Sequence, residues 1–388
     1  MLLRIIFTTG YMILNLFIST FLLKSYGTFS RELIAYHIIM RTVQPVGVWI
    51  ALVMTRKFNP KLTQAMGLLM FLLSLILLCA FGDAVSGLYP MFAVLLGFAD
   101  ACFYGVNTMQ MLAFTKDENR DRFNGILGLI TGIVSLLLPV LCGYLIQAFP
   151  NFTGYRIVFG ISAGCIVASL VFTMGLDIPV SKNTISIGST LKCILRNGNC
   201  MRCIIANALA HCRGSVLNTF LTMLVYNIIS NEAVIGLQSS LSNIASLVSI
   251  ALYGIFIRSS NRTKGSLLAM GLVLLPCAWM LFEVNVLVLL VFSVVYTFAG
   301  TFIDTPISFT YFKSVETLNL HGDAGAAVQL AADIFVAIIT NAGFLLIAVV
   351  PKTNYWAVAL VVAMTLTSVV STLLIHKTDK KLNLQEKT

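Results

Sequence analysis

Residues 177–202 read DIPVSKNTISIGSTLKCILRNGNCMR, the longest polar stretch in a chain of 388 residues. The rest is strongly apolar, since 58% of all residues are hydrophobic, 10% are charged and the mean hydropathy is +0.93. Soluble domains carry about 25% charged residues. This composition excludes a disordered chain, a small disulfide-linked scaffold and an ordinary soluble enzyme, and it predicts a protein that crosses a membrane many times.

Six apolar segments lie on each side of the polar stretch, each long enough for a bilayer core that takes about 20 helical residues. The twelve segments lie near residues 5–23, 32–55, 63–81, 88–113, 123–148, 155–175, 203–227, 233–257, 265–282, 285–311, 324–349 and 354–375. We therefore predict an all-α membrane protein of twelve transmembrane helices. Residues 1–176 and 203–375 form two six-helix halves, 177–202 a central cytoplasmic loop and 376–388 a cytoplasmic tail.

The positive residues that give the chain its net charge of +10 lie mainly in the predicted loops. With the N-terminus placed in the cytoplasm, most of the 25 Lys and Arg residues fall in cytoplasmic segments, which is the positive-inside bias of membrane proteins. The bias predicts that both termini are cytoplasmic, and it accounts for the basic balance without a nucleic-acid partner. The short loops favour a bacterial cell membrane.

The two halves show an internal repeat at an offset of about 200 residues. In the first helix of each half, Leu14-Asn15-x-Phe17 matches Leu217-Asn218-x-Phe220. Three further matches follow in the same order: Ile50-Ala51-Leu52 with Ile250-Ala251-Leu252, Ala65-Met66-Gly67 with Ala269-Met270-Gly271, and Phe98-Ala99 with Phe298-Ala299. Parallel repeats related by an axis along the membrane normal are a known transporter plan.

Two basic loops then connect the sequence to a family. Met54-Thr-Arg-Lys-Phe-Asn-Pro-Lys61 follows the second helix, and Ile257-Arg-Ser-Ser-Asn-Arg-Thr-Lys-Gly265 follows the eighth. Both occupy the place of the loop motif of major facilitator superfamily transporters, which this chain resembles over its whole length; the acidic residue of the motif and the glycines of the first loop are absent. The resemblance implies secondary transport by alternating access, in which two halves rock about a site near the midplane.

The same resemblance points to gating loops. It marks the basic residues Arg56, Lys57, Arg258 and Arg262 of the two motif loops as gating candidates. The charged stretch from Lys116 to Arg122 is similar to the family loop between helices four and five, which locks one state through ion pairs.

Within that stretch, Arg120 and Arg122 are the gating candidates, and a solvated loop is the alternative. In the fifth helix, Leu138-Pro139-x-x-Cys142-Gly143 shares the proline and the last glycine of the antiporter motif. That similarity favours export.

Three carboxylates lie deep within predicted helices. A charge in a bilayer costs several kcal/mol and usually faces a cavity or a partner, so Asp304, Asp333 and Asp100 are candidates for proton coupling, in that order. A carboxylate removed from water binds a proton more readily, and competition between proton and substrate would couple their movements. Asp304 ranks first because Pro306 lies beside it and can free backbone carbonyls. The alternative is a structural ion pair, for example Asp100 with Arg41.

Polar side chains three, four or seven residues apart form stripes on otherwise apolar helices. These stripes and the membrane-embedded cations give the substrate-binding candidates Arg41, His37, Gln44, Tyr104, Asn107, His211, Arg213, Asn218, Tyr311 and Gln329. Small polar residues also hold membrane helices together, which is the competing interpretation. Arg41 and Arg213 suit an anionic substrate, because guanidinium binds carboxylate and phosphate well.

Motifs for other chemistry are missing from the sequence. There is no Gly-x-x-x-x-Gly-Lys-Ser/Thr loop for ATP, no Gly-x-Ser-x-Gly and no His-Glu-x-x-His. We therefore expect no enzyme activity, no cofactor and no metal. Four cysteines near the seventh helix, Cys193, Cys200, Cys203 and Cys212, have a spacing that superficially resembles metal ligands; we interpret them as incidental thiols.

The sequence thus predicts a secondary transporter that exports small amphipathic or drug-like compounds in exchange for protons. Its partners are the small-molecule substrate, protons and the lipid bilayer, with no nucleic acid, and we expect a monomer. Proton-coupled uptake of an anionic small molecule and lipid or glycolipid flipping on the same fold are alternatives. A receptor or scaffold that has lost transport is a fourth possibility.

Overall fold

The computed structural model describes residues 2–26, 31–81, 87–114, 117–175, 187–257, 261–316, 324–349 and 354–385. Thirteen helices account for nearly all of them. They are α1 (Leu2–Tyr26), α2 (Arg31–Lys57), α3 (Pro60–Phe81), α4 (Tyr89–Phe114), α5 (Asp117–Ala148), α6 (Thr153–Met174), α7 (Ile187–Arg196), α8 (Gly198–Ile229), α9 (Glu232–Phe256), α10 (Arg262–Phe282), α11 (Val286–Glu316), α12 (Ala324–Val349) and α13 (Asn354–Gln385). No strand occurs in these ranges.

Eleven of these helices are long and apolar enough to span a membrane. In lipid, a helix satisfies every backbone polar group internally, which is why an apolar chain of this kind folds into helices. α8 has 32 residues but falls short in hydropathy, because Arg202, Arg213 and several asparagines interrupt it. With α8 included, twelve long helices form the fold, as predicted.

The central polar stretch contains a helix that the sequence pattern did not predict. α7 occupies Ile187–Arg196, inside the segment 177–202 expected to be a loop. It is held by apolar contact, since Ile194 is buried with Cys200, Ile204, Val328 and Ala331. α13 also continues to Gln385, ten residues beyond the last predicted span.

The chain divides into two compact units. Unit 1 comprises Met1–Lys182 together with Thr222–Asn243, and unit 2 comprises Asn183–Leu221 together with Ile244–Thr388. Unit 1 therefore draws on both halves of the sequence, whereas unit 2 contains only residues of the central stretch, the second half and the tail. The end of α8 and the start of α9 pack with the helices of the first half.

Glycines bring the helices of unit 1 into backbone contact. A Cβ on Gly97 of α4 would lie 2.7 Å from the carbonyl oxygen of Met40 on α2, and a Cβ on Gly47 would lie 2.7 Å from the Cβ of Ala101. Small residues at such crossings let membrane helices approach closely. The α2–α4 contact places the polar residues of both helices side by side.

The contact between α5 and α9 is equally close. A Cβ on Gly143 would lie 2.7 Å from the carbonyl oxygen of Glu232, and Gly236 lies against the carbonyl group of Pro139. The amide of Asn243 also donates to the carbonyl oxygen of Ser135 at 2.6 Å. That carbonyl lacks its helical donor because Pro139, four residues on, has no N–H.

Candidate functional site

Many hydroxyl groups within the described helices bond to the backbone of their own helix. The side chains of Thr9, Thr42, Thr55 and Thr131 each donate to a backbone carbonyl four residues earlier. Such bonds are a common way for helices to accommodate Ser and Thr. These hydroxyl groups are therefore weak indicators of a binding site, and the charged side chains within the helices are the more informative residues.

Arg213 of α8 and Asp304 of α11 form an ion pair in unit 2. One guanidinium nitrogen, Nη2, donates to both carboxylate oxygens of Asp304, at 2.6 Å to Oδ1 and 2.7 Å to Oδ2. The other, Nη1, donates to the hydroxyl of Ser368 on α13 at 3.0 Å. The guanidinium carbon also lies 5.4 Å from the ring centre of Tyr296, which is within the range of a cation–π contact.

The two members of this pair differ sharply in exposure. The Arg213 side chain is 3% exposed, whereas that of Asp304 is 47% exposed. Nε of Arg213 is buried and has no hydrogen-bond partner among the described residues. Arg213 thus holds one side of the carboxylate, and about half of the Asp304 side-chain surface is not covered by other described residues.

Pro306 shapes α11 beside this pair. The helix continues through the proline, but the carbonyl of Phe302, four residues earlier, loses its helical donor. The hydroxyl of Ser266 on α10 donates to that carbonyl oxygen at 2.8 Å. The freed carbonyl is therefore used to join two helices, and Asp304 lies in the same turn.

Asp100 of α4 has a different environment in unit 1. Asp100 is 3% exposed. Its Oδ2 accepts hydrogen bonds from the hydroxyl of Tyr11 and from Nε2 of Gln44, both at 3.0 Å. Arg41 donates from Nη1 to Oε1 of the same Gln44, also at 3.0 Å. Gln44 thus connects Asp100 and Arg41, the two residues for which the sequence suggested an ion pair.

Several of the other predicted residues have hydrogen-bond partners within the described structure. Asp333 accepts from the side-chain amide of Gln329 at 2.9 Å, and the Tyr311 hydroxyl donates to the carbonyl of Val328 at 3.4 Å. His37 lies 3.5 Å from the hydroxyl of Ser19. Three further predicted residues are exposed: Tyr104 on α4, and His211 and Asn218 on α8.

The predicted gating residues are only partly described. Arg262 stacks with its guanidinium 5.1 Å from the ring centre of Phe309. Lys57 is exposed and Arg56 half-buried at the end of α2. The remaining predicted residues have side chains outside the described part of the structure: Asn107, Arg120, Arg122 and Arg258.

One buried carboxylate was missed by the sequence analysis. Glu232 at the start of α9 is 5% exposed and accepts from Lys24 at 3.3 Å and from the Tyr155 hydroxyl at 3.0 Å. Lys24 also lies 5.3 Å from the ring centre of Tyr155. The available signal was an acidic residue at the start of an apolar segment, but the sequence gives no sign that α1 and α6 supply partners for it.

Two of the four cysteines near α8 lie against backbone carbonyls of α11. Cys200 donates to the carbonyl of Ser314 and Cys203 lies near that of Thr310, whereas Cys193 is exposed. Among the described residues, no group of three or more His, Cys, Asp and Glu side chains is arranged to hold a metal.

Comparison with known proteins gives one family match and several fold matches. The model of the Major Facilitator Superfamily matches residues 1–340. The uncharacterized protein YqgE of Bacillus subtilis (strain 168) is 22% identical over 311 residues, which cover 79% of this chain and 71% of YqgE.

Two solved transporters have a similar fold. A bacterial homologue of the iron transporter ferroportin, in its inward-facing state, has a TM-score of 0.67 at 14% identity and covers 97% of each chain. The nucleoside transporter NupG has a TM-score of 0.70 at 13% identity, covering 97% of this chain and 98% of its own. At these identities the likeness establishes the fold.

Proposed function

We propose that this chain, which belongs to the Major Facilitator Superfamily, is a proton-coupled exporter of small amphipathic compounds. Both the family and the fold are those of transporters. In this proposal the protein works as a monomeric antiporter in a bacterial cell membrane, with both termini in the cytoplasm. Residues 1–176 and 203–375 are the two repeats that move, and neither a cofactor nor a nucleic acid takes part.

The observation that carries the proposal is the half-open ion pair of Asp304 and Arg213. A carboxylate is a proton-coupling group only if a proton can reach it and if its loss of charge changes a contact. The 47% exposure of the Asp304 side chain supports the first condition. Its two short bonds to Arg213 support the second, because protonation would remove the charge that holds the guanidinium.

Arg213 keeps other partners when Asp304 is neutral. Ser368 accepts from Nη1 and Tyr296 offers its ring, so the guanidinium has support on two further sides. Proton binding would therefore loosen the contact between α8 and α11 without leaving the cation bare. An amphipathic compound that approaches the open side of Asp304 would compete with the proton, and this competition would couple export to the proton gradient.

The other predicted carboxylates take secondary places in the mechanism. Asp100 is buried against two neutral donors, Tyr11 and Gln44, which suits a positioning role. Asp333 is held by Gln329 and stays the second candidate for proton coupling. Substrate would then contact the exposed polar side chains of the lining helices, namely Tyr104, His211, Asn218 and Gln329.

The test is proton movement in inverted membrane vesicles that contain the protein. A pH-sensitive dye follows an imposed gradient while cationic, neutral and anionic amphipathic compounds are added. We expect some compounds to dissipate the gradient in the parent protein, and Asp304→Asn to abolish that response. Exchange of the same compound across the vesicle membrane in the absence of a proton gradient should persist in Asp304→Asn, because the asparagine amide keeps an oxygen that can accept from Arg213.

Glu283→Gln is the matched control. Glu283 is an exposed carboxylate at the end of α10, so the same chemical change there should leave the dye response unaltered. An unchanged response in Asp304→Asn would remove Asp304 from the mechanism. A lack of response to every compound in the parent protein would overturn proton-coupled export.

A further inference from the structure

A small cavity in unit 2 lies where the first turns of α10 and the second halves of α11 and α13 pack together. Its volume is about 20 Å³. A cavity needs about 10–15 Å³ to hold one water molecule, whereas sites for organic ligands have volumes of about 300–1,000 Å³. The size of this cavity therefore suits a single water molecule.

The rim of the cavity is formed by residues just outside the apolar spans. His376 is exposed and Thr263 half-buried, and the hydroxyl of Thr263 lies 2.9 Å from Nδ1 of His376. The sequence-predicted spans of the two helices are 265–282 and 354–375, so both residues lie beyond the strongly apolar part. The rim would therefore have access to bulk water.

The base of the cavity is polar but buried. Ser266, Thr310 and Thr372 line it and are 1%, 2% and 6% exposed. The hydroxyl of Thr372 has no hydrogen-bond partner among the described residues. Leaving a buried hydroxyl without a partner is costly, and proteins usually satisfy such groups with other protein atoms or with ordered water. Thr372 is therefore the residue that points to a bound molecule.

Ser266 connects the base of the cavity to the proline turn of α11. Its hydroxyl donates to the carbonyl oxygen of Phe302 at 2.8 Å and lies 3.1 Å from that of Arg262. A hydroxyl also carries two acceptor lone pairs. A water molecule in the cavity can therefore donate to Ser266 while it accepts from Thr372, and this bridge would join α13 to α10 and α11.

The charged side chains of the lining favour a neutral occupant. Arg262 and Asp379 both line the cavity, so a small ion of either sign would meet a like charge at short range. A water molecule carries no net charge, and it can both donate and accept. It therefore matches a lining of hydroxyl groups with one cation and one carboxylate.

We propose that this cavity binds one ordered water molecule, which accepts from the hydroxyl of Thr372 and donates to that of Ser266. The water holds α10, α11 and α13 together at this point, and Thr372 is the residue that positions it. This inference is independent of the proposed function, because the water requires neither a substrate nor a proton gradient.

The experiment is radiolytic hydroxyl labelling of the purified full-length protein in detergent, with the oxidised side chains identified by mass spectrometry. Radiation splits bound as well as bulk water, so a buried side chain beside a bound water is oxidised and one in a dry core is not. We expect oxidation of Ile303 and Ile307, which line the cavity and are 2% and 1% exposed. Ile204 is the reference that should stay unmodified, because it is 0% exposed within an apolar cluster.

Three variants test the role of Thr372. Thr372→Val removes the hydroxyl at nearly constant size and should reduce the oxidation of both isoleucines to background, whereas Thr372→Ser keeps the hydroxyl and should keep the oxidation. Thr365→Val is the matched control and should also keep it. Thr365 is a buried residue of the same helix, but its hydroxyl donates to the carbonyl of Val361 at 2.8 Å within α13.

Three results would overturn the inference. If Ile303 and Ile307 stay as unmodified as Ile204 in the parent protein, the cavity holds no water. If they are oxidised equally in the parent protein and in Thr372→Val, water is present but Thr372 does not hold it. If replacing sodium and potassium with choline abolishes the oxidation, a hydrated cation occupies the cavity. Should Thr372→Val fail to fold, the contrast between these isoleucines and Ile204 in the parent protein decides alone.

Discussion

Asp100 and Asp304 lie on α4 and α11, the fourth long helices of the two halves, yet the two carboxylates have opposite surroundings. Asp100 is buried and receives hydrogen bonds from two neutral side chains, Tyr11 and Gln44. Asp304 is half exposed and receives both of its short bonds from one buried cation, Arg213. A charge that is buried among neutral donors is fixed in place, whereas a charge shared between a cation and an open side can change its partner.

The comparison also concerns the cost of removing each group. Breaking a buried pair by deleting one member leaves the other charge uncompensated, which is more costly than losing the pair as a whole. In unit 2 the member that would be left buried is Arg213, not Asp304. In unit 1 the two side chains that donate to Asp100, Tyr11 and Gln44, are neutral.

The largest expected effect is an asymmetry within the pair of unit 2. Asp304→Leu leaves the guanidinium of Arg213 buried without an anion, and we expect the free energy of unfolding in detergent to fall by about 3–5 kcal/mol. Arg213→Met leaves a carboxylate that water can reach, so its loss should be clearly smaller. The double variant should recover most of the stability lost in Asp304→Leu. Equal losses in both single variants would show that Asp304 is as enclosed as Arg213.

A second prediction contrasts conservative changes at the two aspartates. Both donors of Asp100 contact the same oxygen, Oδ2, so Asp100→Asn keeps both bonds and should lower the free energy of unfolding by no more than about 1.5 kcal/mol. It should also keep compound-dependent proton movement, which Asp304→Asn loses. If the dye response disappears in Asp100→Asn and persists in Asp304→Asn, the assignment of roles is reversed.

A third prediction sharpens the description of unit 1. Tyr11→Phe removes one of the two hydrogen bonds to Asp100 and leaves the ring packing in place, so a loss of about 1–1.5 kcal/mol in unfolding free energy is expected. Combined with Asp100→Leu, the tyrosine change should cost little more, since its partner is already gone. Fully additive losses would mean that the hydroxyl of Tyr11 acts elsewhere.

The smallest expected effect concerns the proline that lies beside Asp304. Ser266→Ala deprives the Phe302 carbonyl of its donor and should cost about 1 kcal/mol in unfolding free energy. Pro306→Ala restores a backbone N–H for that carbonyl. Adding Pro306→Ala to Ser266→Ala should therefore recover the unfolding free energy lost in Ser266→Ala. A double variant less stable than Ser266→Ala would show that the proline itself, and not the carbonyl, matters at this turn.

The positions of the helices were predictable from the sequence, whereas their partners were not. Apolar length alone identifies a span, because lipid leaves the backbone no other option. α7 was missed because ten residues with lysine and arginine carry no span signal; its order comes from Ile194 packing against residues of α8 and α12, more than 130 positions away in the case of Val328 and Ala331.

The charged residues show the same limit. Asp304 and Arg213 were both identified by their presence within apolar segments, but 91 positions separate them, and no periodicity connects two helices. The sequence suggested an ion pair between Asp100 and Arg41, whereas in the structure Gln44 is hydrogen-bonded to both. Pro306 was expected to free a backbone carbonyl, and the carbonyl of Phe302 is free of its helical donor. Ser266 supplies a new donor because α10 packs against α11, which the sequence pattern does not show.

The division into units has a consequence for how the chain is assembled. Thr222–Asn243 belongs to unit 1, where Glu232 meets Lys24 and Tyr155 and where Asn243 meets Ser135. During synthesis, the first 182 residues therefore emerge without the segment that completes their packing and must wait about 40 residues for it. The predicted first repeat is thus smaller than the compact unit that contains it, and of two fragments cut at residue 183 the second would have to supply this segment to the first.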